Sequence, residues 1–152
     1  MIFLVLIFLL SPVFAVDTVI SPPDEHGSGC DLSVTDITDV TRFKTFFDDL
    51  QQGAKNTDKE KLAKMVAYPI SLKVKKKKLK IKDAKDMVAH FDIVFDAKIL
   101  ETIQKQAYNK LFCNSNGVMF GDGEIWISSI TDQKTKSDSI KVYGIQDLQF
   151  VK

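Results

Sequence analysis

Residues 117–130, GVMFGDGEIWISSI, constrain this chain more than any other segment. Gly121 and Gly123 flank Asp122, and a Gly-Asp-Gly triplet accepts the positive φ angles of a tight turn. The apolar residues on either side then become the arms of an antiparallel hairpin, with 118–120 entering and 124–130 leaving. Along the outgoing arm, Glu124, Trp126 and Ser128 are expected on one face and Ile125, Ile127 and Ser129 on the other. The turn places Asp122 in solvent. The same glycines do not form a phosphate loop, because the Gly-x-Gly-x-x-Gly order, a following helix and a phosphate lysine are all lacking.

The rest of the second half supplies further strands, around 111–115 and 140–151, with the polar segment 131–139 as a hairpin loop. The first half is helical. Val40, Phe43, Phe46, Phe47 and Leu50 recur on one helix face, with Thr38 or Asp39 to cap its start and Gly53 to end it. A short second helix follows, with Thr57 and Glu60 spaced as a capping box and Pro69 as its stop. In ISLKVKKKKLKIK the apolar parity changes from Ile70, Leu72 and Val74 to Leu79 and Ile81, which predicts two strands joined at a basic turn. Met87, Val88, Phe91, Val94, Phe95, Ile99, Leu100 and Ile103 then form one stripe along a long helix capped by Asp83, with a bend near Asp96. Helices first and strands mostly afterwards indicate an α+β fold with an antiparallel sheet packed on helices.

At the N-terminus, MIFLVLIFLL followed by SPVFA reads as a signal peptide over residues 1–15, with Val13 and Ala15 small enough for a cleavage site. The run is too short for a stable membrane anchor, and no cysteine follows it closely enough for a lipoprotein. Residues 16–35, rich in Pro, Gly, Ser and Asp, read as a flexible arm, and 36–152 as one domain. Export to a secreted or periplasmic location makes a disulfide the default for the two cysteines, Cys30 and Cys113. It would close a loop of roughly 80 residues and stabilise by roughly 4 kcal/mol. The formal net charge of +1 argues against a nucleic-acid binder.

This order of elements resembles the nuclear transport factor 2 superfamily. The likeness rests on the two opening helices, AYPISLKV leading out of the second, the DAKDMVAHFDIVF helix, and GVMFGDGEIWI running into IKVYGIQ, and it covers residues 36–152. It implies a strongly curved, mostly antiparallel sheet wrapped around a long helix, with two N-terminal helices. A cystatin-like sheet-on-helix protein is the competing fold. The superfamily contains ketosteroid isomerase, scytalone dehydratase, limonene epoxide hydrolase and many non-catalytic binding domains, so the fold does not decide function. The resemblance also implies a homodimer through an open sheet face.

Enzymes of that kind need polar and acidic residues in one pocket. His90 is the candidate base, since its pKa lies near neutrality. Asp122 and Glu124 are the candidate acids, with Asp92 as a further carboxylate, because burial raises a carboxyl pKa. Tyr68, Tyr108 and Tyr143 offer phenols without an evident carboxylate partner. No cofactor is indicated. His26 and His90 are far apart and show no metal-ligand spacing. The binding candidates are Trp126, whose N–H can reach a ligand, Glu124, Tyr143, and the cluster Lys75, Lys76, Lys77 and Lys78. Those lysines suit an acidic partner, and they equally suit a solvated hairpin that resists edge pairing. The leading expectation is a non-catalytic binding protein with a protein partner, of inhibitor or immunity type, or with a small ligand held in the cone. A small isomerase or dehydratase is the alternative.

Overall fold

The computed structural model describes residues 29–74 and 77–146. Among these the fold is α+β, with five α-helices and two antiparallel sheets. The segment expected to be a signal peptide, most of the expected arm, Lys75, Lys76 and residues 147–152 lie outside the described residues, as does the side chain of Lys77.

Helix α1 (Val40–Lys55) is capped by Asp39, whose carboxylate accepts from the Arg42 N–H at 2.8 Å. It buries Phe43, Phe47 and Leu50 of the expected stripe, and Ala54 beside them, while Phe46 is half-buried and Val40 exposed. Gly53 does not end the helix. It lies inside it, facing helix α2 (Lys59–Lys64), and a Cβ there would come within 2.9 Å of Leu62 Cδ2. The glycine therefore sets how closely the two helices approach. Asp58, rather than Thr57, caps α2 by accepting from the Lys61 N–H at 2.9 Å.

The expected long helix is three short ones: α3 (Ala84–Ala89), α4 (Phe91–Val94) and α5 (Ala97–Lys105). Ile93, Val94 and Phe95 are modest helix formers. Asp96 next to them starts a new helix, accepting from the Ile99 N–H at 3.0 Å. The breaks do not disturb the apolar stripe, and Met87, Phe91, Val94, Phe95, Ile99 and Ile103 are all buried. Helices α5 and α1 are joined at their ends by side-chain amides. The Gln51 amide donates to the carbonyls of Ile103 and Gln106 at 2.9 and 2.8 Å, and the Gln104 amide donates to the Ala54 carbonyl at 3.0 Å.

Strands β1 (Ile70–Val74) and β2 (Lys77–Ile81) form the expected hairpin, with Ile70 opposite Ile81 and Leu72 opposite Leu79. The larger sheet runs in the order β3 (Phe112–Asn114), β4 (Gly117–Phe120), β5 (Ile125–Thr131) and β6 (Asp138–Ile145). Its inner face buries Val118, Phe120, Ile125, Ile127, Val142 and Ile145. Contact with the helices includes Phe120 against Phe47, ring centroids 5.3 Å apart. The segment between α2 and β1 lies parallel to β6: Ala67 N–H donates to the Val142 carbonyl at 2.8 Å, and Val142 N–H to that of Met65 at 2.9 Å. Lys73 bridges to Gln146, so the small hairpin continues from the β6 edge of the large sheet.

A disulfide joins Cys30 to Cys113 on β3. Residues 29–35, expected as the end of a flexible arm, are tied down by it. They carry a 3₁₀ turn (Leu32–Val34) with Leu32 buried, and Gly29 N–H donates to the Asn109 carbonyl at 3.1 Å.

Candidate functional site

Among the described residues two grooves hold several of the candidate residues. The first lies between α5 and the β4–β5 turn and holds about 440 Å³. Glu124 is 5 % exposed at its floor. One of its carboxylate oxygens accepts from the Asp122 N–H at 2.7 Å, and the other faces Lys98 Nζ at 3.4 Å. Gly121 and Gly123 have φ angles of 64° and 116°, so the turn wraps around the Glu124 carboxylate. A Cβ on Gly121 would overlap that carboxylate and lie 2.7 Å from Thr102 Cγ2. The turn is further held by Gln106, whose side-chain oxygen accepts from the Gly121 N–H at 2.8 Å. Asp122 is exposed at the tip, as the Gly-Asp-Gly reading expects. On the rim, Lys105 pairs with Glu101, so much of the charge in this groove is neutralised internally.

His90 does not join this set. It sits at the junction of α3 and α4, with Nδ1 2.9 Å from the Asp86 carbonyl and 3.2 Å from an Asp86 carboxylate oxygen. Neither groove is lined by it. Asp92 points away as well, into an exposed pair with Lys59 at 2.8 Å. His90 and Asp92 thus stand apart from Asp122 and Glu124, which share the first groove, and Glu124 is engaged in holding the turn there.

The second groove lies on the outer face of the sheet, beside the β1–β2 hairpin, and holds about 340 Å³. Trp126 and Tyr143 line it together with Ser71, Lys73, Asn116 and Gly144. A register shift between β5 and β6 brings the two aromatics together. Trp126 pairs with Gly144 and Ile127 with Val142, which leaves Tyr143 as an extra residue in β6. Without that bulge, strict alternation would turn either Val142 or Ile145 out of the core, yet both are buried. The Tyr143 hydroxyl donates to the Asn116 carbonyl at 2.6 Å, and burial raises its pKa. Trp126 also belongs to a cross-strand row, Phe112–Met119–Trp126–Gly144, on the face opposite the helices. Phe112 in that row is 50 % exposed.

Sequence pattern identified Trp126 and Tyr143 but not their neighbours. The contributions of Ser71, Asn116 and Gly144 depend on strand register, which a single chain does not reveal. Glu124 was expected to share a face with Trp126, but it precedes β5 and is drawn under the turn into the other groove. Of the lysine cluster, Lys78 is described and exposed, standing opposite Lys73.

Among the described residues no group of three His, Cys, Asp or Glu side chains is placed to hold a metal ion, and no helix is long and apolar enough to cross a membrane. Comparison of the chain with protein-family models, with curated proteins and with solved structures yields no match.

Proposed function

We propose that this is an exported, non-catalytic binding protein of the nuclear transport factor 2 type, and that it holds its ligand in the groove between Trp126 and Tyr143. The observation that carries the reading is the sorting of the candidates. The two aromatics named for binding converge on one open groove, while Asp122 and Glu124 line the other without His90, and the Glu124 carboxylate is tied to the Asp122 N–H and to Lys98. The apolar leader and the Cys30–Cys113 disulfide are what export to an oxidising compartment would require. Two helices, a hairpin, further helices and an antiparallel sheet follow one another in the order expected of that superfamily. A sheet curved around the α3–α5 stretch belongs to the same proposal.

The test compares the protein with Trp126→Ala and Glu124→Gln. Ligand capture that needs Trp126 and is indifferent to Glu124→Gln is the expected result. Turnover of an isomerase or dehydratase substrate, lost in Glu124→Gln, would replace this reading with the enzymatic one.

A further inference from the structure

The Trp126 groove and the basic hairpin form one continuous surface. Directly paired residues of an antiparallel ladder share a face. Lys73 pairs with Lys78, and Ser71 with Lys80. Since Ser71 and Lys73 also line the groove, Lys78 and Lys80 extend its rim away from Trp126. Lys73, Lys78 and Lys80 are all exposed. Among the described residues none of the three forms an ion pair, in contrast to Lys98 and Lys105 of the first groove. Like charges directly opposite one another, as in the Lys73–Lys78 pair, destabilise a sheet, and a bound anion relieves that repulsion. Alternate residues on a strand repeat at about 7 Å, so Lys78 and Lys80 present charge in a line.

The aromatic part of the surface has a definite shape. A Cβ on Gly144 would meet Trp126 Cβ at 3.3 Å and Cδ1 at 3.7 Å, so the indole lies across the glycine. The same side chain lines the groove. The face of an aromatic ring is the negative part of its quadrupole, and the C–H groups on one side of a sugar ring are weakly positive. Hydroxyl and amide groups of Ser71 and Asn116 stand nearby for hydroxyl partners.

We infer that this surface binds an acidic polysaccharide, with one sugar ring on Trp126 and carboxylate or sulfate groups along Lys73, Lys78 and Lys80. The inference rests on the binding reading above and assigns its ligand class. An acidic peptide is the weaker fit, because a peptide strand would add to the outer edge of β2 by main-chain bonds and leave Trp126 unused. A single-stranded nucleic acid would stack and pair in the same way, and the test below separates the two.

Trp126 is the single tryptophan and reports its own environment. The protein is titrated with polygalacturonate, heparin and neutral dextran, following fluorescence and retardation in gels containing each polymer. Saturable binding to at least one acidic polysaccharide and none to dextran is expected. Trp126→Ala should weaken it about tenfold. Lys73→Glu with Lys78→Glu and Lys80→Glu should weaken it at least as much, with an unchanged melting curve. The lysine variant is confined to exposed positions, so it decides the matter even if Trp126→Ala folds poorly. The inference is overturned by absence of saturable binding, by binding insensitive to both variants, or by equal binding to polyglutamate or single-stranded DNA. A doubled mass in light scattering that Trp126→Ala abolishes would also overturn it, assigning the face to a second copy. If the polysaccharides fail while a photo-crosslinker at Ser71 captures a protein in a Trp126-dependent way, this inference falls and the binding reading stands. Substrate turnover lost in Glu124→Gln would overturn both.

Discussion

Gly144 sits directly opposite Trp126 in the β5–β6 ladder, and a Cβ at 144 would crowd the Trp126 Cβ at 3.3 Å and touch the indole at 3.7 Å. Gly144→Ala should push the ring outward and redden its emission. Glycine weakens a strand, so alanine restores part of what crowding costs, and stability should change by no more than about 1 kcal/mol. Ligand affinity should fall severalfold. Unchanged emission with unchanged affinity would show that the indole does not rest on Gly144.

The turn around Glu124 gives a graded series. Gly121→Ala should cost about 2 kcal/mol or more, because a left-handed backbone disfavours a Cβ and Glu124 already fills the space. Glu124→Ala, which strips the Asp122 N–H of its acceptor, should cost about 1–3 kcal/mol. Glu124→Gln keeps an acceptor there and loses only the Lys98 pair, so its cost should be the smallest of the three. Urea unfolding ranks them, and equal losses for Glu124→Ala and Glu124→Gln would point to the charge rather than the hydrogen bond.

Reduction of the Cys30–Cys113 disulfide removes a constraint spanning 83 residues. The expected loss is about 4 kcal/mol if the unfolded chain carries the effect. Equilibrium unfolding of Cys30→Ala/Cys113→Ala measures it; a loss below about 1 kcal/mol would mean that the remaining contacts of residues 29–35 suffice.

All three tyrosines have phenols shifted upward. For Tyr68, which donates to the Ala63 carbonyl at 2.7 Å, burial is the largest cause, followed by Asp83 and Asp86. Burial leads for Tyr108 as well, with Asp48 adding to it. A raised folded pKa means the folded state holds the proton more tightly. That stabilisation is complete below the ordinary phenol value of 10.0 and is lost as pH rises beyond it. Lys141 runs the other way, since burial lowers its pKa and its deprotonation favours the folded state. Ultraviolet titration should show tyrosinate forming at higher pH in the native protein than in urea. Tyr68→Phe should reduce the fall in stability above pH 10; coincident titration curves would refute the shift.

The local pattern of this chain was legible where one element decides it. The α1 stripe, the parity change between β1 and β2, and the turn at Asp122 follow from apolar spacing and glycine chemistry alone. The breaks at His90 and Asp96 were hidden because the buried stripe runs on through them, and hydrophobic periodicity does not register a restarted helix. Gly53 reads as a stop signal, yet the closeness of Leu62 makes it a packing residue. Glu124 and Trp126 are two residues apart and belong to different grooves, because the turn claims one and the ladder the other. The row from Phe112 to Gly144 exists only once register is known.

The position of the disulfide also determines how the molecule is held. Cys113 is on β3, at the edge of the large sheet remote from the β1–β2 hairpin. Three ladder spacings, about 14 Å, separate β3 from β6. A tether attached ahead of Cys30 would therefore pull on the side of the protein away from the lysines. A molecule held at Cys30 would keep the basic hairpin clear of the support.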